Sequence, residues 1–150
     1  MKRGTLYVGC ALTLLLAACA GSGAGPNTVP SEQPATEISS QADLVAALQS
    51  QGATVEPADA IEQAFFQVSG QILRVNGADV QLFEYGDEAA RTADSELISP
   101  DGTSISKTMV TWVDTQHFWA DGRLIVLYVG NDAQVIELLR GALGDPLTPS

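Results

Sequence analysis

The sequence predicts a small α+β domain in which an antiparallel sheet is backed by about three helices. Two β-rich runs are each broken by a tight-turn dipeptide, Asn76-Gly77 and Asp121-Gly122. Amphipathic segments with capping residues lie before, between and after these hairpins. The expected order of elements is therefore α-ββ-α-ββ-α, in a single domain over residues 40–146. A ferredoxin-like arrangement is one candidate, and the strand order stays open.

The first predicted helix runs from Gln41 to about Gln51. Ser40 and Asp43 have the spacing of a capping box at its start, and Gly52 supplies a left-handed stop at its end. One side of this helix carries the apolar side chains expected to face the core: Leu44, Val45 and Leu48.

The first hairpin is the run GQILRVNGADVQLFEYG. Asn76-Gly77 suits a type I′ turn, which needs positive φ at both central positions. This turn predicts two cross-strand pairs: Arg74 with Asp79, as an exposed ion pair, and Leu73 with Val80. Before the hairpin the pattern is weaker, and we expect a short strand over residues 53–56, a loop after Pro57 and extended chain from Ala64.

Asp87 is expected to cap a second helix, which Pro100 ends. The apolar residues of this helix are mostly alanines, which lets a helix pack close to a sheet. The face expected to be buried consists of Ala89, Ala90, Ala93 and Leu97. Asp94 and Glu96 lie on a polar helix without a cleft to raise either pKa, so they are not predicted to act as an acid–base pair.

The second hairpin is the run MVTWVDTQHFWADGRLIVLYVG, with Asp121-Gly122 as its turn. That register predicts three cross-strand pairs: Trp119 with Leu124, His117 with Val126, and Phe118 with Ile125. Residues 124–129 are apolar throughout, as expected of a central strand covered on both faces. Asn131 or Asp132 caps the last helix, whose apolar face consists of Val135, Ile136, Leu139, Ala142 and Leu143.

The N-terminus has the pattern of a secretory signal peptide. Lys2 and Arg3 form a basic start, and the apolar run over residues 6–18 is shorter than the ~20 residues that a transmembrane helix needs. The residues Leu16-Ala17-Ala18-Cys19 resemble the lipobox of bacterial lipoproteins. The resemblance implies cleavage before Cys19, transfer of a diacylglyceryl group to its thiol, and anchoring on the extracytoplasmic side of a cell-envelope membrane.

Residues 1–18 are therefore expected to be removed. Residues 19–39 are expected to be the lipidated cysteine and a flexible tether, because small and polar residues dominate and large apolar side chains are few. Residues 147–150 are expected to be a tail. Since Cys10 is removed and Cys19 is acylated, no intramolecular disulfide is expected.

The mature chain is strongly acidic. Loss of Lys2 and Arg3 leaves five basic residues against 18 acidic ones, a net charge of −13. Such a field repels phosphate backbones, so nucleic acid is not an expected partner. The acidic residues are scattered, which is typical of a solvated surface. The third hypothesis in rank is that acidic loops bind divalent cations weakly. These loops lie around Asp101, Asp114, Asp121 and Asp132.

The sequence contains no recognised catalytic, nucleotide-binding or metal-binding motif, so no catalytic residue, cofactor or metal ligand is predicted. Residues 101–144 resemble uncharacterised bacterial lipoproteins, and that resemblance brings no activity. The preferred hypothesis is a lipid-anchored, non-enzymatic binding module with an envelope protein as partner. The alternative is an enzyme whose carboxylates assemble only in three dimensions.

The candidate interaction surface consists of Trp112, His117 and Trp119. Core packing is the favoured interpretation of the two tryptophans. His117 is expected to be a half-buried imidazole bonded to the backbone, with a pH-sensitive contact as the alternative. If the side of the sheet that carries Trp119 were open, it would instead be the best candidate for a binding surface. His117 with Asp114 alone offers too few ligands for a zinc site.

Overall fold

The computed structural model describes residues 37–148. The predicted signal peptide over 1–18, the lipobox cysteine Cys19 and the predicted tether up to residue 36 lie outside the described residues, as do residues 149–150. The elements follow in this order: α1 (Gln41–Ser50), β1 (Val55–Ile61), β2 (Gly70–Val75), β3 (Ala78–Glu84), α2 (Glu88–Ser95), β4 (Ser104–Ile105), β5 (Thr108–Met109), β6 (Gln116–Asp121), β7 (Leu124–Val129) and α3 (Ala133–Leu143).

Within the described residues, five strands form one antiparallel sheet in the order β1-β2-β3-β7-β6, and β4 pairs with β5 in a separate ribbon. The predicted α+β class is confirmed. The predicted order α-ββ-α-ββ-α is not, because it contains neither β1 nor the β4–β5 ribbon. The short strand expected over residues 53–56 is present as the longer β1, and the loop expected after Pro57 is wrong, because the strand continues to Ile61. β1 contains Pro57 and a register shift between Pro57 and Ala60, which hide its periodicity. The strands of the ribbon have two residues each, which is too short for a recognisable pattern of alternating apolar residues.

The helices α1 and α3 begin at capping residues that the sequence indicates. The Ser40 side chain accepts a hydrogen bond from the Asp43 amide at the start of α1. The Asp132 side chain accepts one from the Gln134 amide at the start of α3. These acceptors satisfy amide groups that have no partner within the helix.

The first hairpin is confirmed at its turn and in its register. Asn76 and Gly77 have φ of 50° and 90°, as a type I′ turn requires. The predicted pairs are both present: Leu73 with Val80, and Arg74 with Asp79. The side chains of the second pair form an exposed ion pair of 3.3 Å. Residues 62–69, predicted to become extended from Ala64, form turns and bends instead.

The second hairpin turns one residue later than predicted. Its loop consists of Gly122 and Arg123, of which only Gly122 has positive φ, at 49°. A glycine at the first loop position is typical of a type II′ turn, whereas the predicted turn at Asp121-Gly122 would place the glycine second. The predicted pairs are therefore wrong, and the observed ones are His117 with Tyr128, Phe118 with Leu127, and Trp119 with Val126. Each partner moves by two residues, so every side chain keeps its face.

The sheet is covered on both faces. The helices α1 and α3 pack on one face, over a core cluster that includes Trp119 and Val126. The other face is covered by residues 62–69 and by the chain between α2 and β6, with Phe66 and Ile105 among the buried side chains. β7 lies between β3 and β6, and Leu124–Tyr128 are all 5 % exposed or less. This burial confirms the interpretation of the apolar run as a central strand.

The helix α2 packs with a different side from the one predicted. It ends at Ser95, and its alanines Ala89, Ala90 and Ala93 are exposed. Leu97, beyond its end, is 42 % exposed. The buried residue is Asp94, at 1 % exposure. The alanine prediction is wrong because Asp94 meets hydrogen-bond donors from distant parts of the chain, which no pattern within the helix reveals.

The packed domain extends beyond both predicted boundaries. Ile38, assigned to the tether, is buried in the core at 2 % exposure. Leu147 and Thr148, assigned to the tail, lie along β6. The Leu147 amide donates to the Phe118 carbonyl at 2.6 Å, and the Phe118 amide donates to the Thr148 hydroxyl at 3.3 Å. Across residues 37–148, the helices are all too short or too polar to cross a membrane.

Candidate functional site

The most exposed large apolar side chains of residues 37–148 lie at the end of the β4–β5 ribbon and just after it. Val113 is 98 % exposed and Met109 is 86 % exposed. Both line one shallow groove of about 660 Å³, whose walls are residues 109–116 together with Thr103. We call this the hairpin groove. Exposed apolar side chains gathered in one groove are typical of a recognition surface.

Hydrogen bonds and packing hold the hairpin groove in shape. The indole Nε1 of Trp112 donates to the Gly102 carbonyl at 2.8 Å, and the side-chain amide of Gln116 donates to the Asp101 carbonyl at 2.7 Å. Ile105, in β4 of the ribbon, is fully buried in the core cluster of that face. A surface that is shaped before binding loses less conformational entropy when a partner docks.

The carboxylate of Asp101 fixes the turn beside the groove. It accepts hydrogen bonds from the Ser99 hydroxyl at 2.6 Å, the Thr103 hydroxyl at 2.9 Å and the Thr103 amide at 3.1 Å. These bonds, with that from Ser99 the strongest, lower the pKa of Asp101 below its ordinary value. Asp101 therefore carries its negative charge at neutral pH.

A second carboxylate, that of Asp114, lies on the groove wall itself. It accepts hydrogen bonds from the Asn131 side chain and from the Thr115 amide, the latter at 2.7 Å. The basic side chain nearest in sequence is Lys107, in the turn between β4 and β5. The groove thus combines an apolar centre with fixed negative charges.

Of the predicted interaction residues, only Trp112 belongs to this groove. It is half-buried, and its ring packs edge-on against Phe118 at a centroid distance of 5.7 Å. Trp119 is fully buried on the other face, where its indole Nε1 donates to the Gly144 carbonyl at 3.0 Å. The helix α3 covers it there. The favoured interpretation of Trp119 as core is confirmed, and the hypothesis of an open surface on its side is wrong.

His117 is also core, at 1 % exposure. Its ring stacks beside those of Trp119 and Tyr128, with centroids 6.0 Å away in each case. A ring nitrogen lies 3.1 Å from the Gly130 carbonyl oxygen. This imidazole therefore has the backbone partner that the sequence predicts, but it is fully buried rather than half-buried.

The buried carboxylate of Asp94 is the polar centre of the opposite face. It accepts hydrogen bonds from the Tyr85 hydroxyl at 2.8 Å and from the Gln67 side chain and amide at 2.8 and 3.0 Å. Burial, followed by the hydrogen bond and charge of Asp94, raises the pKa of Tyr85 well above its ordinary value. The three residues join α2 and residues 62–69 to the end of β3, and their polar atoms bond to each other.

The carboxylates of the loops in the cation hypothesis accept hydrogen bonds from neighbouring groups of the protein. Asp121 accepts from the Gly122 amide at 2.9 Å, and Asp132 accepts from the Gln134 amide at 2.8 Å. Within residues 37–148, no three histidine, cysteine, aspartate or glutamate side chains come close enough to hold a metal ion. The geometry therefore gives the cation hypothesis no support.

Comparisons with known proteins do not bear on these residues, because no protein-family model, no curated protein and no solved structure matches the chain.

Proposed function

We propose that the chain is a lipid-anchored protein of the cell envelope, a non-enzymatic module that binds a protein partner through the hairpin groove. One observation carries the proposal. Val113 and Met109, at 98 % and 86 % exposure, stand on a groove that internal hydrogen bonds already hold in shape. A partner that buries these two side chains would gain roughly 3 kcal/mol of binding free energy. This gain favours a binding role for the groove.

The side chains of the groove are suited to contact rather than to catalysis. Met109, Val110, Trp112 and Val113 offer apolar surface, and the Asp114 carboxylate is held by neighbouring donors. Away from the groove, the buried carboxylate of Asp94 is fully engaged in hydrogen bonds within the protein. An exposed, pre-shaped apolar groove is what a docking module requires.

The membrane anchor in this proposal comes from Cys19 and its lipobox-like surroundings. Two acyl chains on one cysteine hold a protein stably, whereas one chain alone gives marginal binding. The chain between Cys19 and Ile38 is rich in small and polar residues, which as a random coil would span roughly 25 Å. The domain would then work within a short distance of the lipid surface, on the extracytoplasmic side.

The anchor is tested by metabolic labelling with palmitate in a bacterial host, comparing the wild-type chain with the Cys19→Ser variant. We expect label in the wild type alone, and recovery of the wild type with membranes. Label that persists in Cys19→Ser would refute the assignment of the acylated residue.

The groove is tested in the same cells with a photo-crosslinking amino acid at position 113 and, as a matched control, at exposed position 93 on α2. We expect one discrete protein adduct from position 113 alone. The captured protein, purified, should then bind the wild-type chain about tenfold more tightly than the Met109→Gln/Val113→Thr variant. Equal adducts from both positions, or equal affinities for both chains, would contradict the proposed function.

A further inference from the structure

Resting on the proposed function, we infer that the hairpin groove takes a protein surface with an apolar centre and a basic rim. Three features of the described residues carry the inference: the place where the described chain begins, the distance from there to the groove, and the charge around the groove.

The chain leaves the domain at the β6–β7 turn. The side chain of Ile38 is buried, and the Ser39 carbonyl accepts a 3.2 Å hydrogen bond from Nε of Arg123. The backbone of Ile38 lies so close to Gly122 that a Cβ on this glycine would be 2.5 Å from the Ile38 oxygen. Arg123 also donates to Glu84 at 2.8 Å and so ties this point to β3. The first described residues are therefore fixed at one end of the sheet.

The hairpin groove lies at the other end of β6. Gln116, the first residue of β6, is part of its wall, whereas Asp121, the last residue, adjoins the turn at which the tether starts. At about 3.3 Å per residue, the strand separates the two by roughly 17 Å. The groove and the first described residues therefore lie at opposite ends of β6.

The charge of the domain selects the class of partner. Residues 37–148 contain 17 acidic and five basic side chains. Asp101, with its lowered pKa, and Asp114 are fixed beside the groove. An anionic lipid surface would be repelled by this field, and a second copy of the same acidic domain would be repelled as well. A surface with lysines or arginines around an apolar centre would be attracted, and charge complementarity would raise its association rate.

The test uses the full-length lipidated chain in nanodiscs of phosphatidylethanolamine and phosphatidylglycerol, with the photo-crosslinker at position 113 or position 93. The probes are a biotinylated amphipathic peptide of leucine and lysine and its leucine–glutamate counterpart. We expect the lysine peptide to crosslink about fivefold more at position 113 than at position 93. At position 113, it should also crosslink about fivefold more than the glutamate peptide. Raising the salt to 0.5 M should remove most of that preference.

Two variants separate charge from surface. Asp114→Asn keeps the side-chain oxygen that accepts from Thr115, and should lower crosslinking of the lysine peptide at position 113 about two- to fivefold. The matched variant Asp59→Asn, in β1 at the far edge of the sheet, should leave it unchanged. Equal crosslinking of the two peptides, equal effects of the two variants, or crosslinking of position 113 to lipid would overturn the inference.

The two proposals fail in different ways. If the wild-type chain does not stay with the nanodiscs but position 113 still prefers the lysine peptide, the anchor is wrong and the groove assignment stands. If the chain stays anchored and the captured envelope partner binds at position 113 through an acidic surface, the proposed function stands and the basic partner is wrong.

Discussion

The hydroxyl of Tyr85 and the carboxylate of Asp94 meet at 2.8 Å in the interior, and this contact decides which side of α2 faces the sheet. The carboxylate also accepts two hydrogen bonds from Gln67. A buried carboxylate with three donors is stable where a carboxylate without partners would not be. The exposed alanine side of α2 is the consequence.

Removing this carboxylate should be costly. In Asp94→Ala, the Tyr85 hydroxyl and the Gln67 donors lose their acceptor, and we expect the free energy of unfolding to fall by about 3 kcal/mol. Tyr85→Phe leaves the Gln67 bonds in place and should cost about 1–2 kcal/mol. Urea unfolding of the full-length chain measures both. Glu96→Ala, which removes an exposed carboxylate one residue beyond α2, is the control and should change stability little. Equal losses for Asp94→Ala and Glu96→Ala would contradict this account.

The raised pKa of Tyr85 predicts a loss of stability in alkali. The folded state holds the hydroxyl in its neutral form, while the unfolded chain ionises near pH 10. The stabilisation is thus complete below about pH 10 and is lost progressively above it, by up to about 1.4 kcal/mol per pH unit. Unfolding measured between pH 8 and 11.5 should show this slope in the wild type and a shallower one in Tyr85→Phe. Parallel curves would show that Tyr85 ionises equally in both states.

Two glycines with positive φ should respond differently to alanine. Gly77 has φ of 90° and open space around its missing side chain, so Gly77→Ala should cost about 1 kcal/mol through backbone strain alone. Gly122 has φ of 49°, and a Cβ there would also strike the Ile38 oxygen at 2.5 Å. Gly122→Ala should cost more than about 2 kcal/mol, since residues 38–39 must shift. Thermal unfolding of both variants tests the ranking, and the reverse order would be inconsistent with the described path of residues 38–39.

Binding and stability should separate at the β4–β5 ribbon. Met109→Gln/Val113→Thr changes two exposed side chains and should alter the free energy of unfolding by less than about 0.5 kcal/mol. Ile105→Ala empties a fully buried position beneath them and should cost about 2–4 kcal/mol. Chemical unfolding distinguishes the two. A large loss in the double variant would mean that the hairpin groove is structural.

Local sequence signals predicted the parts of the fold that depend on neighbouring residues. The Asn76-Gly77 turn was predictable because few residue pairs tolerate positive φ at both positions, and the turn sets the register of its hairpin. The caps at Ser40 and Asp132 were predictable for the same local reason. At Asp121-Gly122 the signal was ambiguous, because a glycine serves the first position of one turn type and the second position of another.

The candidate site could not be predicted from the sequence, since it depends on contacts between distant segments. Met109 and Val113 read as ordinary strand residues, and their exposure follows from a ribbon whose strands are too short to recognise. The burial of Asp94 depends on Gln67, which lies in a turn segment of another part of the chain. Trp112 was the one predicted surface residue that lies at the groove.

Leu147 and Thr148, which lie beside β6, affect the tendency of the protein to aggregate. An uncovered edge strand offers amide and carbonyl groups on which further strands can stack, and it is where sheets seed fibrils. Leu147 and Thr148 occupy those groups at Phe118, while Pro57 and the register shift interrupt β1 at the far edge. A chain shortened to residue 146 should therefore form thioflavin-positive aggregates sooner than the intact one, and an affinity tag belongs after Thr148 rather than in its place.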